Sequence, residues 1–171
     1  KEQAVAARQL VKAFNGVRAV DQLDLSIPRG ASWGFIGPSG AGKTTTIRLI
    51  MSILFPDSGS LQVLGRDSAL DARQLVGYLP EERGVYRKMR IDDFLLFLAQ
   101  LRGMEESVAR PRATKLLDQL GLTNVGRVRC EDLSKGMLQR VQFVGAILHE
   151  PELLILDEPT EGIQPSIIKD I

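Results

Sequence analysis

IGPSGAGKTTTIRL, Ile36 to Leu49, puts three glycines within six residues, then a lysine, three threonines and the apolar spacing of a helix. Glycine accepts backbone angles that side chains forbid and lets other groups approach the main chain. A helix start has unpaired N–H groups and the positive end of the helix dipole. A glycine-rich loop feeding a helix therefore makes a nest of donors suited to an anion such as phosphate.

Residues Gly37 to Thr44 read GPSGAGKT, which satisfies G-x-x-x-x-G-K-[ST], the P-loop pattern. In this reading Gly37, Pro38, Ser39, Gly40, Ala41 and Gly42 form the cradle around a nucleotide triphosphate. Lys43 reaches the β- and γ-phosphates, Thr44 offers its hydroxyl to Mg²⁺, and Thr45 contacts a phosphate oxygen. The context agrees: ASWGFIG (31–37) reads as a short buried strand, and TTTIRLIMSIL (44–54) as a helix.

The rest of the chain sets bounds on this reading. Its 171 residues suffice for one domain with a proper core and a small subdomain. Hydrophobic content of 44% and charged content of 25% are those of an ordinary globular protein. A net charge of +1 gives no electrostatic case for nucleic acid or an anionic membrane. The single cysteine, Cys130, excludes an internal disulfide, and the single histidine, His149, gives a histidine-based metal site or triad little to work with. No apolar run approaches the roughly 20 residues that span a bilayer, and the first residues lack a signal-peptide pattern. The chain has no initiator Met and stops inside a helix-like PSIIKDI (165–171), so both ends read as those of a piece of a longer protein.

Upstream, AVAARQLVKAF and VRAVDQLDLSI alternate roughly in steps of two around Asn15-Gly16, which predicts an antiparallel pair. SLQVLG (60–65) and RQLVGYLP (73–80) read as strands. IDDFLLFLAQLRG (91–103), EESVARPRATKLLDQLGL (105–122) and SKGMLQRVQFVGAILHE (134–150) have helical spacing, with Pro111 bending or restarting the second. ELLILDEP (152–159) is an apolar run ending in acids, as in a buried parallel strand. This order predicts an α/β fold: a P-loop core, an antiparallel β edge layer and a helical insertion.

A triphosphate site needs a metal holder and a way to activate water. Asp157, at the end of the apolar strand, can hold Mg²⁺, and Glu158 can orient or deprotonate the attacking water. LSKGMLQR (133–140) supplies a second small anion-binding geometry, with Ser134 at a helix start and Gly136 allowing close approach.

On these motifs the chain resembles the nucleotide-binding domain of ATP-binding cassette (ABC) proteins over essentially its whole length. Gly37–Thr44 match the Walker A motif, Leu153–Glu158 match Walker B, and LSKGM takes the signature position, usually LSGGQ. The resemblance implies a P-loop NTPase (RecA-like) core, about 1–80 and 141–171, with a helical subdomain, about 81–140, the whole truncated at its C-terminus. It puts the adenine-stacking aromatic on Phe14 and the glutamine of the family's Q-loop on Glu81, a third candidate for the catalytic step beside Glu158 and Lys43. Lys135 and Met137 depart from the usual signature, and Gln164 stands where many members have Asp. YLPEERG is similar to ABC-2-type exporters of the sodium- and drug-efflux kind. DEPTEGIQP is similar to urea and branched-chain amino-acid importers. The family's switch histidine lies beyond Ile171. The resemblance further implies an Mg²⁺-dependent ATPase whose ATP lies between the P-loop of one copy and the signature of another. Such a homo- or heterodimer would sit on the inner face of the cell membrane through permease subunits, with no nucleic-acid partner. A soluble ABC ATPase acting on DNA or ribosomes, and a truncated module without turnover, are the alternatives. Transported substrate and direction are not encoded in these motifs.

Overall fold

A computed structural model of the chain describes residues 2–67, 69–80 and 84–157. Contacts divide the chain into two compact units, Lys1–Val76 and Gly77–Ile171.

The first unit is built on a hairpin, β1 (Gln3–Phe14) and β2 (Val17–Pro28), with β3 (Ser58–Val63) on the other side of β1. Both pairings are antiparallel, in the order β2-β1-β3. Asn15 and Gly16 turn the hairpin with φ of 49° and 82°, both left-handed, as a turn matched to strand twist requires. Halfway along, the register shifts between Ala7 and Leu10. Gln9 absorbs the shift at φ 48°, and Asp24 holds it there by accepting from its N–H at 2.8 Å and from its Nε2 at 2.7 Å. The inward face of the hairpin carries Ala7, Leu10 and Val20, and Leu49 of α1 (Lys43–Ile50) packs among them. A fully buried leucine contributes about 1.5–3 kcal/mol, so Leu10 and Leu49 anchor the helix on the sheet.

The second unit pairs β4 (Val76–Leu79), which follows the short α2 (Ala69–Ala72), with β5 (Leu153–Leu156). Three helices, α3 (Ile91–Leu101), α4 (Glu106–Gln119) and α5 (Lys135–Ile147), pack on one another. Phe94, Leu95, Leu117, Val141, Phe143 and Val144 form the centre of their core. Gly77 lets β4 approach α5, since a Cβ there would lie 2.3 Å from the Ala146 carbonyl oxygen.

Three sequence expectations are corrected. Residues 31–38 form no strand, with Ile36 fully exposed, because no described strand pairs with them and apolar composition alone does not make a ladder. Residues 73–75 form a turn of 3₁₀-helix, so the strand begins only at Val76. Pro111 does not restart its helix: α4 runs through it, with Ala109, Ala113, Leu116 and Leu117 buried. A mid-helix proline costs about 3 kcal/mol, a loss that burial of those two leucines offsets.

One ion pair ties the end of β1 to the turn before β3. Asp57 accepts from Lys12 Nζ at 2.7 Å and from the Ala13 N–H at 2.7 Å. Hydrogen bonding from Lys12, then from Ala13, holds its carboxyl below the ordinary 3.8. A carboxyl pKa lowered by folding stabilises the fold above the unfolded-state value and loses that effect as pH falls through the folded value. Asp57→Asn should therefore lower the urea midpoint at pH 7, and the gap to the parent chain should close as pH drops below 3.8. A gap that stayed constant into that acid range would remove the carboxylate as its source.

Candidate functional site

The loop before α1 is shaped by two left-handed glycines, Gly40 at φ 81° and Gly42 at φ 82°. Such angles cost about 1–2 kcal/mol with a side chain, so the glycines are required by the path. Ala41 N–H closes a tight turn on the Pro38 carbonyl at 3.2 Å. Gly42 is the residue before the helix, and its carbonyl accepts both the Thr46 N–H at 2.8 Å and the Thr46 hydroxyl at 2.9 Å. That is the first helical bond, so the N–H groups of Lys43, Thr44 and Thr45 have no helical partner.

Charge around this start is one-sided. The first turn of α1 carries no acid. Lys43 Nζ donates to the Gly37 and Pro38 carbonyls at 2.6 and 2.8 Å, which holds the ammonium against the loop. Among the described residues it has no anionic partner. Donor N–H groups, the helix dipole and an unneutralised ammonium together fit a phosphate group. Pro38, Ser39, Gly40 and Ala41 are exposed, and no atom lies within 4 Å of where a Cβ on Gly40 would stand, so the cradle is open to a ligand.

Phe14 closes β1 in the same unit. Its side chain is 43% exposed, and Lys12 Nζ lies 5.5 Å from the ring centroid.

In the second unit Asp157 follows β5 directly. Its N–H donates to the Leu79 carbonyl at 3.0 Å, and its Oδ2 accepts from the Tyr78 hydroxyl at 3.3 Å. It is 6% exposed. A buried carboxylate needs compensation, and one long bond from a neutral hydroxyl supplies little. Among the described residues no cation pairs with it. This fits a metal-binding acid, since a carboxylate is a hard oxygen donor. Tyr78 is a partner that sequence reading passed over; its only signal was a polar-tipped aromatic inside an apolar strand.

Ser134 stands before α5, and its Oγ accepts from the Met137 N–H at 3.3 Å. The first helical bond runs from Leu138 N–H to the Ser134 carbonyl at 2.9 Å, so the N–H groups of Lys135 and Gly136 have no helical partner. Space beside Gly136 is open for 4 Å around a built Cβ. Glu81, Glu158 and Gln164 lie outside the described residues.

The profile described as "ABC transporter" matches residues 20–161. The chain belongs to the ABC transporter family, as an ATP-binding domain. It is 45% identical over 156 residues to an uncharacterized ABC transporter ATP-binding protein, YhaQ, of Bacillus subtilis, covering 91% of this chain and 52% of that protein. It is 37% identical over 166 residues to the daunorubicin/doxorubicin resistance ATP-binding protein DrrA of Streptomyces peucetius, covering 95% of this chain and 50% of that one. Among solved structures, it superposes with a TM-score of 0.85 on one described as the ATP-binding subunit of an ABC transporter. That match is 29% identical and covers 97% of this chain and 70% of the other. The chain spans about half the length of the curated relatives it matches.

The two left-handed glycines of this ABC domain differ in their surroundings. A Cβ on Gly42 would stand 2.3 Å from the Ala19 carbonyl oxygen of β2, whereas one on Gly40 meets nothing. Gly40→Ala should cost only the conformational strain, about 1–2 kcal/mol. Gly42→Ala should cost clearly more, because backbone must move. Urea unfolding of the two variants measures the difference; equal losses would show that the contact with β2 does not constrain the loop.

Proposed function

We propose that this domain binds MgATP at Gly37–Thr45 and hydrolyses it to power a membrane transporter. The observation that carries the reading is the loop itself: two left-handed glycines deliver three unpartnered N–H groups and one ammonium to a single helix start. Membership of the ABC family supports ATP as the nucleotide.

In the proposed mechanism the N–H groups of the loop and Lys43 hold the phosphates, and the Lys43 ammonium leaves the two loop carbonyls for phosphate oxygens. The Thr44 hydroxyl and the Asp157 carboxylate would hold the metal ion. Mg²⁺, when bound, offsets charge on the β- and γ-phosphates. Phe14 stacks on the adenine. Glu158 takes the proton of the attacking water, with Glu81 as the second carboxylate at the site. Ser134 and Gly136 bind the γ-phosphate of a second copy, so that two domains pair head to tail around two nucleotides. Closure of that pair moves the attached permease subunits.

We assign residues 1–80 and 141–171 to the nucleotide-binding core and 81–140 to the helical subdomain. We place the domain on the cytoplasmic face of the membrane, held there by permease subunits. No helix among the described residues is long and apolar enough to cross a membrane itself. Export is the direction favoured, supported by the drug-resistance role in the name of the Streptomyces relative.

Lys43 decides binding and Glu158 decides turnover. Charge-assisted hydrogen bonds contribute about 1.5–3 kcal/mol, so Lys43→Ala should weaken MgATP by roughly 10- to 150-fold in titration calorimetry. Unchanged affinity would remove the basis of the reading. Glu158→Gln keeps shape and hydrogen bonding but not the base. In the whole protein it should still bind MgATP and lose turnover, as measured by phosphate release; near-normal turnover would move the base elsewhere, with Glu81 next in line.

A further inference from the structure

Asp57 grips three consecutive residues at the end of β1. Its N–H donates to the Val11 carbonyl at 2.9 Å, its Oδ1 accepts from Lys12 Nζ at 2.7 Å, and its Oδ2 accepts from the Ala13 N–H at 2.7 Å. The β1–β3 pairs shift between Arg8 and Val11 and end at Val11, while β2 pairs with Lys12, Ala13 and Phe14 across register shifts. Asp57 holds these residues from the other side, from the turn that leads into β3.

Two consequences converge on Phe14. The backbone immediately before it is held at Ala13. The Lys12 ammonium, drawn by Asp57, stands 5.5 Å from the Phe14 ring centroid, within reach of a cation–π contact. The Lys12 side chain is 17% exposed and that of Asp57 46%, while Phe14 remains 43% exposed. A cation on one face draws π density from the ring, and the depleted ring is a better partner for an electron-rich purine on the other face.

We propose that Asp57 and Lys12 are positioning residues for the nucleotide base: they hold Phe14, back one face of its ring with a cation, and present it to adenine. The proposal rests on Phe14 being the base-stacking aromatic. Neither residue is among those proposed to hold phosphate or metal, so their effect is read on the base.

The test compares Mg²⁺–ATP with Mg²⁺–tripolyphosphate, which has the charge but no base, by titration calorimetry on the 171-residue chain. The dissociation constant of tripolyphosphate divided by that of ATP reports the contribution of the base and cancels changes common to both. Stacking on an aromatic is worth about 5- to 150-fold by truncation, and Phe14→Ala should lower the ratio by that order. Asp57→Ala and Lys12→Met should each lower it by about three- to tenfold. A merely structural role would weaken both ligands alike and leave the ratio alone. Lys12→Met keeps the Asp57–Ala13 bond, so it decides the matter if Asp57→Ala folds poorly. If Phe14→Ala lowers the ratio while Asp57→Ala and Lys12→Met leave it at the parent value, the positioning role is wrong and base stacking stands. If Phe14→Ala itself leaves the ratio unchanged, the stacking reading fails and this proposal fails with it.

Discussion

The contact between the Gly42 backbone and the Ala19 carbonyl sets where α1 begins. The approach is so close that a Cβ on Gly42 would lie 2.3 Å from that oxygen. Gly42 thus seats the helix start on β2 and turns the chain at φ 82°. One turn later Thr46 locks the geometry by sending both its N–H and its hydroxyl to the Gly42 carbonyl. At the far end of α1, Leu49 is held in the apolar cluster of the hairpin. The donor groups at the phosphate end are therefore aimed by apolar packing at the other end and by one close backbone approach. Precision at this polar site comes from apolar packing at a distance, joined to backbone contacts at the helix start.

The same division holds in the second unit. β5 contributes four apolar residues, Leu153–Leu156, and then the acid. The apolar run holds the strand beside β4, and the Asp157 N–H extends the join by one bond to the Leu79 carbonyl. A carboxylate placed there is desolvated by the packing that positions it. Desolvation raises the cost of an uncompensated charge and so strengthens its demand for a counter-ion.

What the sequence made legible follows from how each feature is encoded. The P-loop could be read because its backbone needs glycine at particular offsets, and because the lysine and threonine that follow are rare in combination. Helices α3 and α5 could be read from spacing, since each has one face in a common core. Residues 31–37 misled because their apolar content was taken for a strand, and a strand exists only through its partner. Pro111 misled because local cost was weighed without the tertiary burial that exceeds it. Tyr78 and Asp57 were invisible for another reason. Tyr78 meets an acid 79 positions away, and Asp57 meets a lysine 45 positions away. Contacts at such separations leave no period in the sequence.

Charge compensation then separates two aspartates and two lysines by task. Asp57 and Lys12 satisfy each other at 2.7 Å, and Asp57 remains 46% exposed. Their charges are used up within the fold, which suits residues that hold others in place. Lys43 and Asp157 are different. The lysine is bonded to two neutral carbonyls, and the acid to one neutral hydroxyl. Neither finds an opposite charge among the described residues, although the chain has 22 basic and 21 acidic side chains from which a partner could have been drawn. A buried acid with no cation among the described residues carries a cost in stability, and an ammonium held only by neutral carbonyls keeps its charge available to an anion.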